Sequence, residues 1–232
     1  MSNEVEKRRV AEVGARLVGD GMLVGLGSGS TVLALVDWLG ALRPRARFVA
    51  SSPEVGVRAI EVGLTVCGFD DGETADILDL AIDGADALAE DGWVLKGRGG
   101  AQTREAIVAA AAQTRVLLLS SDKVVRRLPG RVPVELHRFG LSSTLRLLGD
   151  VRLRDAPPTP DGGVLADVAL SLEDPLSTQR WLEGIPGVVS HGLFAPGSWD
   201  TALIARGTEV TRRSLEGPLS QVLEVPADLK EG

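Results

Sequence analysis

Apolar residues fall in short runs separated by amphipathic stretches, and this alternation predicts the architecture. Asn3 to Val18 carries an apolar stripe at Val10, Val13, Leu17 and Val18, with Asn3 placed to cap it and Glu4 and Glu6 suited to its positive end, so a helix is expected. Met22 to Leu26 reads as a strand, followed by a helix that turns Val32, Leu33, Leu35, Val36 and Leu39 toward a core. Strands follow at Arg47 to Ala50, Leu64 to Phe69, Ile77 to Ile82 and Arg115 to Leu119, with helices at Pro53 to Val62 and from Gln102 to Ala112. Such spacing predicts an α/β fold with a Rossmann-like, doubly wound, mostly parallel sheet. Ligands of such sheets bind beyond the carboxyl ends of the strands.

From Arg131 the pattern changes. Strand Val132 to Leu136, helix Phe139 to Leu148, strands Val151 to Arg154 and Gly163 to Leu170, helix Leu176 to Leu182 and strand Val188 to Phe194 form the order of a ferredoxin-like α+β unit. A smaller domain is therefore expected at 130–200, with 1–129 and 201–232 forming the Rossmann-like one. Thr201 to Ala205 is apolar enough to return as a strand to the larger sheet, and the charged end of the chain reads as surface.

Composition narrows the partners. The 232 residues are 44% hydrophobic and 25% charged with a net charge of -7, which argues against nucleic acid or an anionic membrane, both of which favour a basic face. No run approaches the roughly 20 apolar residues of a membrane span, and Met1 to Arg9 lacks an apolar signal core, so a cytoplasmic protein is expected. The single cysteine, Cys67, lies in an apolar run and reads as a buried small hydrophobe, and the two histidines, His137 and His191, have no metal-ligand spacing.

The chemistry concentrates in two stretches that follow strands and so share one rim. In Gly25-Leu26-Gly27-Ser28-Gly29-Ser30-Thr31 a strand passes through a glycine turn into a helix, an arrangement that can receive an anion on unpartnered N–H groups. Taken alone it also fits a tight turn with a Ser/Thr cap, and it lacks the lysine of a P-loop and the third glycine of a dinucleotide fingerprint. The second stretch joins Asp83-Gly84-Ala85-Asp86, Lys96-Gly97-Arg98-Gly99-Gly100-Ala101 and Thr103-Arg104-Glu105. Three carboxylates and an ammonium among close-approach glycines make up the groups of a proton-transfer site. Lys123, after the strand ending at Leu119, points to the same rim.

These motifs, with Ser121-Asp122-Lys123, Ile185-Pro186-Gly187-Val188-Val189 and Gly192-Leu193-Phe194, are collinear over most of the chain, which thereby resembles the A-type ribose-5-phosphate isomerases. The resemblance implies interconversion of ribose 5-phosphate and ribulose 5-phosphate without a metal or cofactor, in a homodimer or homotetramer. It implies that Glu105 shuttles the proton, with Asp83, Asp86 and Lys96 as further catalytic groups. The implied substrate-binding positions are Ser28, Gly29, Ser30, Thr31, Asp83, Gly84, Ala85, Asp86, Lys96, Gly97, Arg98, Gly99, Lys123 and Lys7. Departures from the family pattern are Ala87 for an acidic residue, Arg98 in the glycine run, Ser28 for threonine, and Thr159-Pro160-Asp161-Gly162-Gly163. Arg98 is expected to stand clear of the sugar pocket. An isomerase of another sugar phosphate and a sugar-phosphate-binding regulator are the alternatives.

Overall fold

The computed structural model describes residues 2–69, 77–215 and 221–222. Its first half runs α1 (Ser2–Ala15), β1 (Leu23–Leu26), α2 (Ser30–Leu42), β2 (Arg47–Ala50), α3 (Pro53–Glu61), β3 (Thr65–Val66), β4 (Leu78–Gly84), β5 (Ala87–Ala89), β6 (Val94–Leu95), α4 (Gln102–Ala110) and β7 (Ala112–Ser120). After a short 3₁₀ turn, Ser121–Lys123, come β8 (Val124–Val125), β9 (Arg131–Leu136), α5 (Leu141–Leu148), β10 (Val151–Leu153), β11 (Val164–Ala169), α6 (Pro175–Glu183), β12 (Val188–His191), β13 (Leu193–Phe194), β14 (Thr201–Arg206), β15 (Glu209–Ser214) and β16 (Gln221–Val222).

Eight strands form the main sheet in the order β16-β15-β14-β7-β4-β1-β2-β3. From β3 to β14 every pairing is parallel, and β14, β15 and β16 close the edge antiparallel. Both faces are covered, so the central strands are continuously apolar, and all four residues of β1 are buried. Because side chains alternate across a strand, Val24 and Leu26 meet Val10 of α1 and Leu35 of α2 on one face. Leu23 turns to the other face, where it packs with Leu78 and with Val108 of α4. Gly25 lies on that second face, where a Cβ would come within 2.4 Å of Val108, so the glycine lets α4 close on the sheet. The chain leaves β1 toward β2 on one side while β4 flanks it on the other, which opens a crevice at their carboxyl ends.

A second sheet, β10-β11-β9-β12, is antiparallel throughout, and its strand order with α5 and α6 is ferredoxin-like. Val132, Val134 and Leu136 of β9 pack with Leu148 of α5 and Leu182 of α6.

Some elements differ from expectation. Val188 to Phe194 is two strands in two sheets, because Gly192 sits where a Cβ would lie 2.0 Å from the Lys96 carbonyl oxygen. Past it, β13 joins β6, β5 and β8 in a third, four-stranded sheet, whose strands of two or three residues are too short to show a period. Within Leu64 to Phe69 the strand is Thr65–Val66, the Cys67 N–H donates to the Phe48 carbonyl at 2.9 Å, and Cys67 is half-buried beside the second-face cluster. The exposed residue Phe139 precedes α5, which starts after Gly140 in a left-handed conformation. Asn3 lies inside α1, and its amide donates to Asp122 at 3.0 Å. Within the charged end, Glu209–Ser214 is a strand, while residues 216–220 and 223–232 lie outside the described residues.

Candidate active site

The crevice at the β1 and β4 ends holds a cavity of about 280 Å³ lined by Lys7, Ser28–Thr31, Asp83–Asp86, Lys96–Gly99, Glu105 and Lys123. Every residue singled out as a site residue borders this one space. Arg98 is exposed and borders it too, its backbone N–H bonded to Asp86 and its carbonyl to Arg154.

Strand register sets the first contacts. Leu26 pairs with Ile82, so the next residues continue the ladder: Gly27 N–H donates to the Ile82 carbonyl at 2.9 Å, and Ser28 N–H donates to Asp83 Oδ1 at 3.1 Å. The Gly84 N–H adds a second donor to that oxygen at 2.7 Å. A Cβ on Gly27 would sit 1.8 Å from the Asp83 carboxyl carbon, so no larger residue fits without moving the carboxylate. Gly27→Ala is expected to destabilise the fold by about 1–3 kcal/mol, as overpacking does. An unchanged urea midpoint would contradict it.

The third sheet places Lys96. It follows β6 directly, and its N–H donates to the Gly192 carbonyl at 2.8 Å, which locks the backbone where two sheets meet. The ammonium reaches Asp83 Oδ2 at 2.7 Å, the Gly84 carbonyl at 2.6 Å and Glu105 Oε2 at 3.4 Å, and lies 5.8 Å from the centre of the Phe194 ring. Glu105 comes from the buried face of α4, shared with Gln102 and Val108 at helical spacing. Its Oε1 accepts from the Ser28 hydroxyl at 2.5 Å, whereas Oε2 is buried and among the described residues has only the long contact to Lys96. Ser28 is thereby committed to Glu105, and α2 starts at Gly29 with no side-chain cap. Its first-turn N–H groups remain open to an anion.

Charge within this group is set by burial and by neighbours. Burial raises the Asp83 carboxyl to about 7, with the negative Glu105 adding to it and Lys96 opposing. For Lys96 burial works against the charge, but Asp83 and Glu105 outweigh it and hold the ammonium above its ordinary value.

Residues outside the motifs hold this geometry. Asp86 accepts from the Arg98 N–H at 2.8 Å, and Arg154, paired with Asp167 at 2.6 Å, donates to the Gly97 and Arg98 carbonyls at 2.8 and 3.0 Å. Glu135, buried in β9, accepts from Thr103 of α4 and from Thr159 at 2.6 Å, and thus ties the altered 159–163 loop to the helix that carries Glu105. Arg104 adds a two-pronged pair with Asp161, both bonds 2.7 Å. The only sequence signal for Glu135 was a lone carboxylate between Val134 and Leu136.

A Rossmann-like α/β protein with two carboxylates around a buried ammonium, beside an uncapped helix terminus, has the site of a proton-transfer enzyme for a small anionic substrate. More narrowly, the chain belongs to the ribose 5-phosphate isomerase A (phosphoriboisomerase A) family, whose model matches residues 47–209. Ribose-5-phosphate isomerase A of Korarchaeum cryptofilum is 38% identical over 221 residues, 89% of this chain and 96% of that protein. That of Thermomicrobium roseum is 39% identical over 233 residues, 93% and 95% of the two chains. Among solved structures, ribose 5-phosphate isomerase A from Methanocaldococcus jannaschii superposes with a TM-score of 0.83 at 28% identity, over 90% of this chain and 98% of that one. A D-ribose-5-phosphate isomerase in complex with phospho-erythronic acid gives 0.84 at 28% identity, over 92% and 100%.

Proposed function

We propose that this protein interconverts D-ribose 5-phosphate and D-ribulose 5-phosphate, with Glu105 carrying a proton between C1 and C2 of the open-chain sugar. One observation carries the assignment of roles: the Lys96 ammonium lies between Asp83 and Glu105 at 2.7 and 3.4 Å, inside the cavity that Ser28–Thr31 also lines. Family membership supplies the reaction these groups would serve.

In the aldose-to-ketose direction Glu105 takes the C2 proton, and the C–H electron pair becomes the double bond of an enediolate. Negative charge passes to O1, where Lys96 stabilises it, an interaction stronger in the transition state than before it. A proton moves from O2 to O1 by way of Asp83, and Glu105 returns its own to C1, leaving the carbonyl at C2. With a carboxyl raised to about 7, Asp83 can both accept and release a proton near neutrality. Asp86, at the cavity wall, is assigned to the sugar hydroxyls and ring opening.

The phosphate is assigned to the open N–H groups of α2, the hydroxyls of Ser30 and Thr31, and the ammonium groups of Lys7 and Lys123. Phospho-erythronic acid, bound by the related isomerase, joins a phosphate to a carboxylate, and the present cavity offers partners for both ends.

Ribulose 5-phosphate formation by the purified protein in EDTA tests the function. Turnover is expected. A wild type that binds the sugar phosphate without converting it would instead point to a regulator.

The acid limb of kcat/KM carries a second expectation. Asp83 must be unprotonated to receive the hydroxyl proton, and its carboxyl is raised, so activity falls as pH drops through about 7. The residual rate of Asp83→Asn should lose that limb. A wild-type profile flat down to pH 5 would contradict the assignment.

A further inference from the structure

Lys7 and Lys123 are 116 residues apart in sequence, yet both line the cavity. Their relative placement rests on one face of α1, where Asn3, Glu6 and Lys7 share a turn at helical spacing. The Glu6 side chain is buried and makes three hydrogen bonds, none of them to a cation. Its Oε2 accepts from the Ser121 N–H at 2.8 Å and the Ser121 hydroxyl at 2.9 Å, and its Oε1 accepts from the Gly207 N–H at 2.9 Å. The Gly207 bond leads the interactions that hold the carboxyl below its ordinary range, against burial.

Ser121 opens the 3₁₀ turn that ends in Lys123. Asn3 grips the same turn one step on, through Asp122 at 3.0 Å, and Asp122 also accepts from Ser120 at 2.5 Å and lies 3.2 Å from the Lys123 ammonium. Gly207 belongs to the turn between β14 and β15, so Glu6 joins three separate segments. Its neighbour Lys7, which borders the cavity, has among the described residues only a long 3.8 Å ion-pair contact, with Glu4.

We infer that Glu6 is a positioning residue for phosphate: it fixes the turn that carries Lys123 to the helix that carries Lys7, and so sets the spacing of the two ammonium groups. This rests on the proposal that those lysines receive the substrate phosphate. Glu6 touches neither substrate nor the Asp83, Lys96 and Glu105 group, so its loss should weaken binding and leave the chemical step intact. A general structural role would lower kcat as well.

Glu6→Met, which keeps the length and removes all three acceptor interactions, tests the inference. The KM for ribose 5-phosphate is expected to rise about tenfold, as loss of charge-assisted hydrogen bonds allows. Binding of inorganic phosphate, followed by calorimetry, should weaken by a similar factor, with kcat within about twofold of wild type. Glu12→Gln, altering a carboxylate that pairs with Arg9 and Arg16 on the same helix, should leave all three quantities unchanged. A fall in kcat with phosphate binding intact would overturn the inference, as would wild-type constants throughout. If Glu6→Met does not fold, Ser121→Ala is read in the same way. There phosphate binding should weaken about threefold, and wild-type binding would overturn the inference. A wild type that binds phosphate but converts no ribose 5-phosphate would count against the isomerase function, while the phosphate titration still decides the role of Glu6.

Discussion

Replacing Glu105 by glutamine is expected to lower kcat for ribose 5-phosphate by about 10²–10⁴, the range a positioned general base contributes. The amide is nearly isosteric with the carboxylate. It can still accept from the Ser28 hydroxyl, which lies 2.5 Å from the present Oε1. Glutamine therefore preserves packing on the buried face of α4, and KM should change by no more than about threefold if the group acts mainly in the transition state. What it removes is the capacity to take a proton from carbon. Equal circular dichroism and unfolding midpoints for the two proteins would attribute the loss to chemistry. A variant retaining more than about a tenth of wild-type kcat would assign the proton transfer elsewhere.

Lys96→Met should combine loss of activity with loss of stability. Without the ammonium, Asp83 and Glu105 face each other in a buried site where the donors among the described residues are the Ser28 hydroxyl and the Ser28 and Gly84 N–H groups. Breaking a buried ion pair from one side typically costs about 3–5 kcal/mol, and removing one stabiliser of a developing oxyanion about 10²–10³ in kcat. The stability loss should depend on pH, and its sign is fixed. Carboxyls whose folded pKa lies above the unfolded value are favoured while protonated and lose that stability as pH rises through the folded pKa. In the wild type the Asp83 carboxyl is already raised to about 7, and loss of Lys96, which lowers it, raises it further. Denaturant unfolding of the variant should thus show the largest deficit near pH 8 and recovery toward pH 5, where protons replace the ammonium. A deficit independent of pH would mean that the lysine is held by its stem packing alone.

Legibility from sequence followed the length scale of the signal. The helices and longer strands of both sheets have repeating apolar positions, and β14 was readable as a returning strand because Ala202 to Ala205 is an unbroken apolar run. The site residues were readable because chemistry-bearing side chains cluster there among glycines, and every one of them borders the cavity. The third sheet was not readable. Ala87–Ala89, Val94–Leu95 and Leu193–Phe194 acquire their strand character only from each other, across about 100 residues of chain. The break at Gly192 was hidden for the same reason, since its close neighbour, the Lys96 carbonyl, comes from a distant segment.

Supporting carboxylates were harder still. Glu6 looked like a favourable charge at a helix start and Glu135 like an isolated polar residue in a strand, yet each is buried and holds hydroxyl or N–H donors from distant segments. Pattern reading ranks residues by local context, whereas these act through partners 24 to 201 positions away.

Proton transfer through the Glu105 carboxylate is tested most directly by a solvent-exchange experiment. Ribose 5-phosphate would be incubated in D₂O with the purified protein through many turnovers, and the sugar phosphates followed by proton NMR. A carboxylate that carries the proton loses some of it to solvent at each passage, so deuterium should accumulate at C2 of the aldose and C1 of the ketose, and in Glu105→Gln that accumulation should fall in step with kcat. Conversion to ribulose 5-phosphate with no deuterium in either sugar after many turnovers, or exchange undiminished in Glu105→Gln, would contradict it.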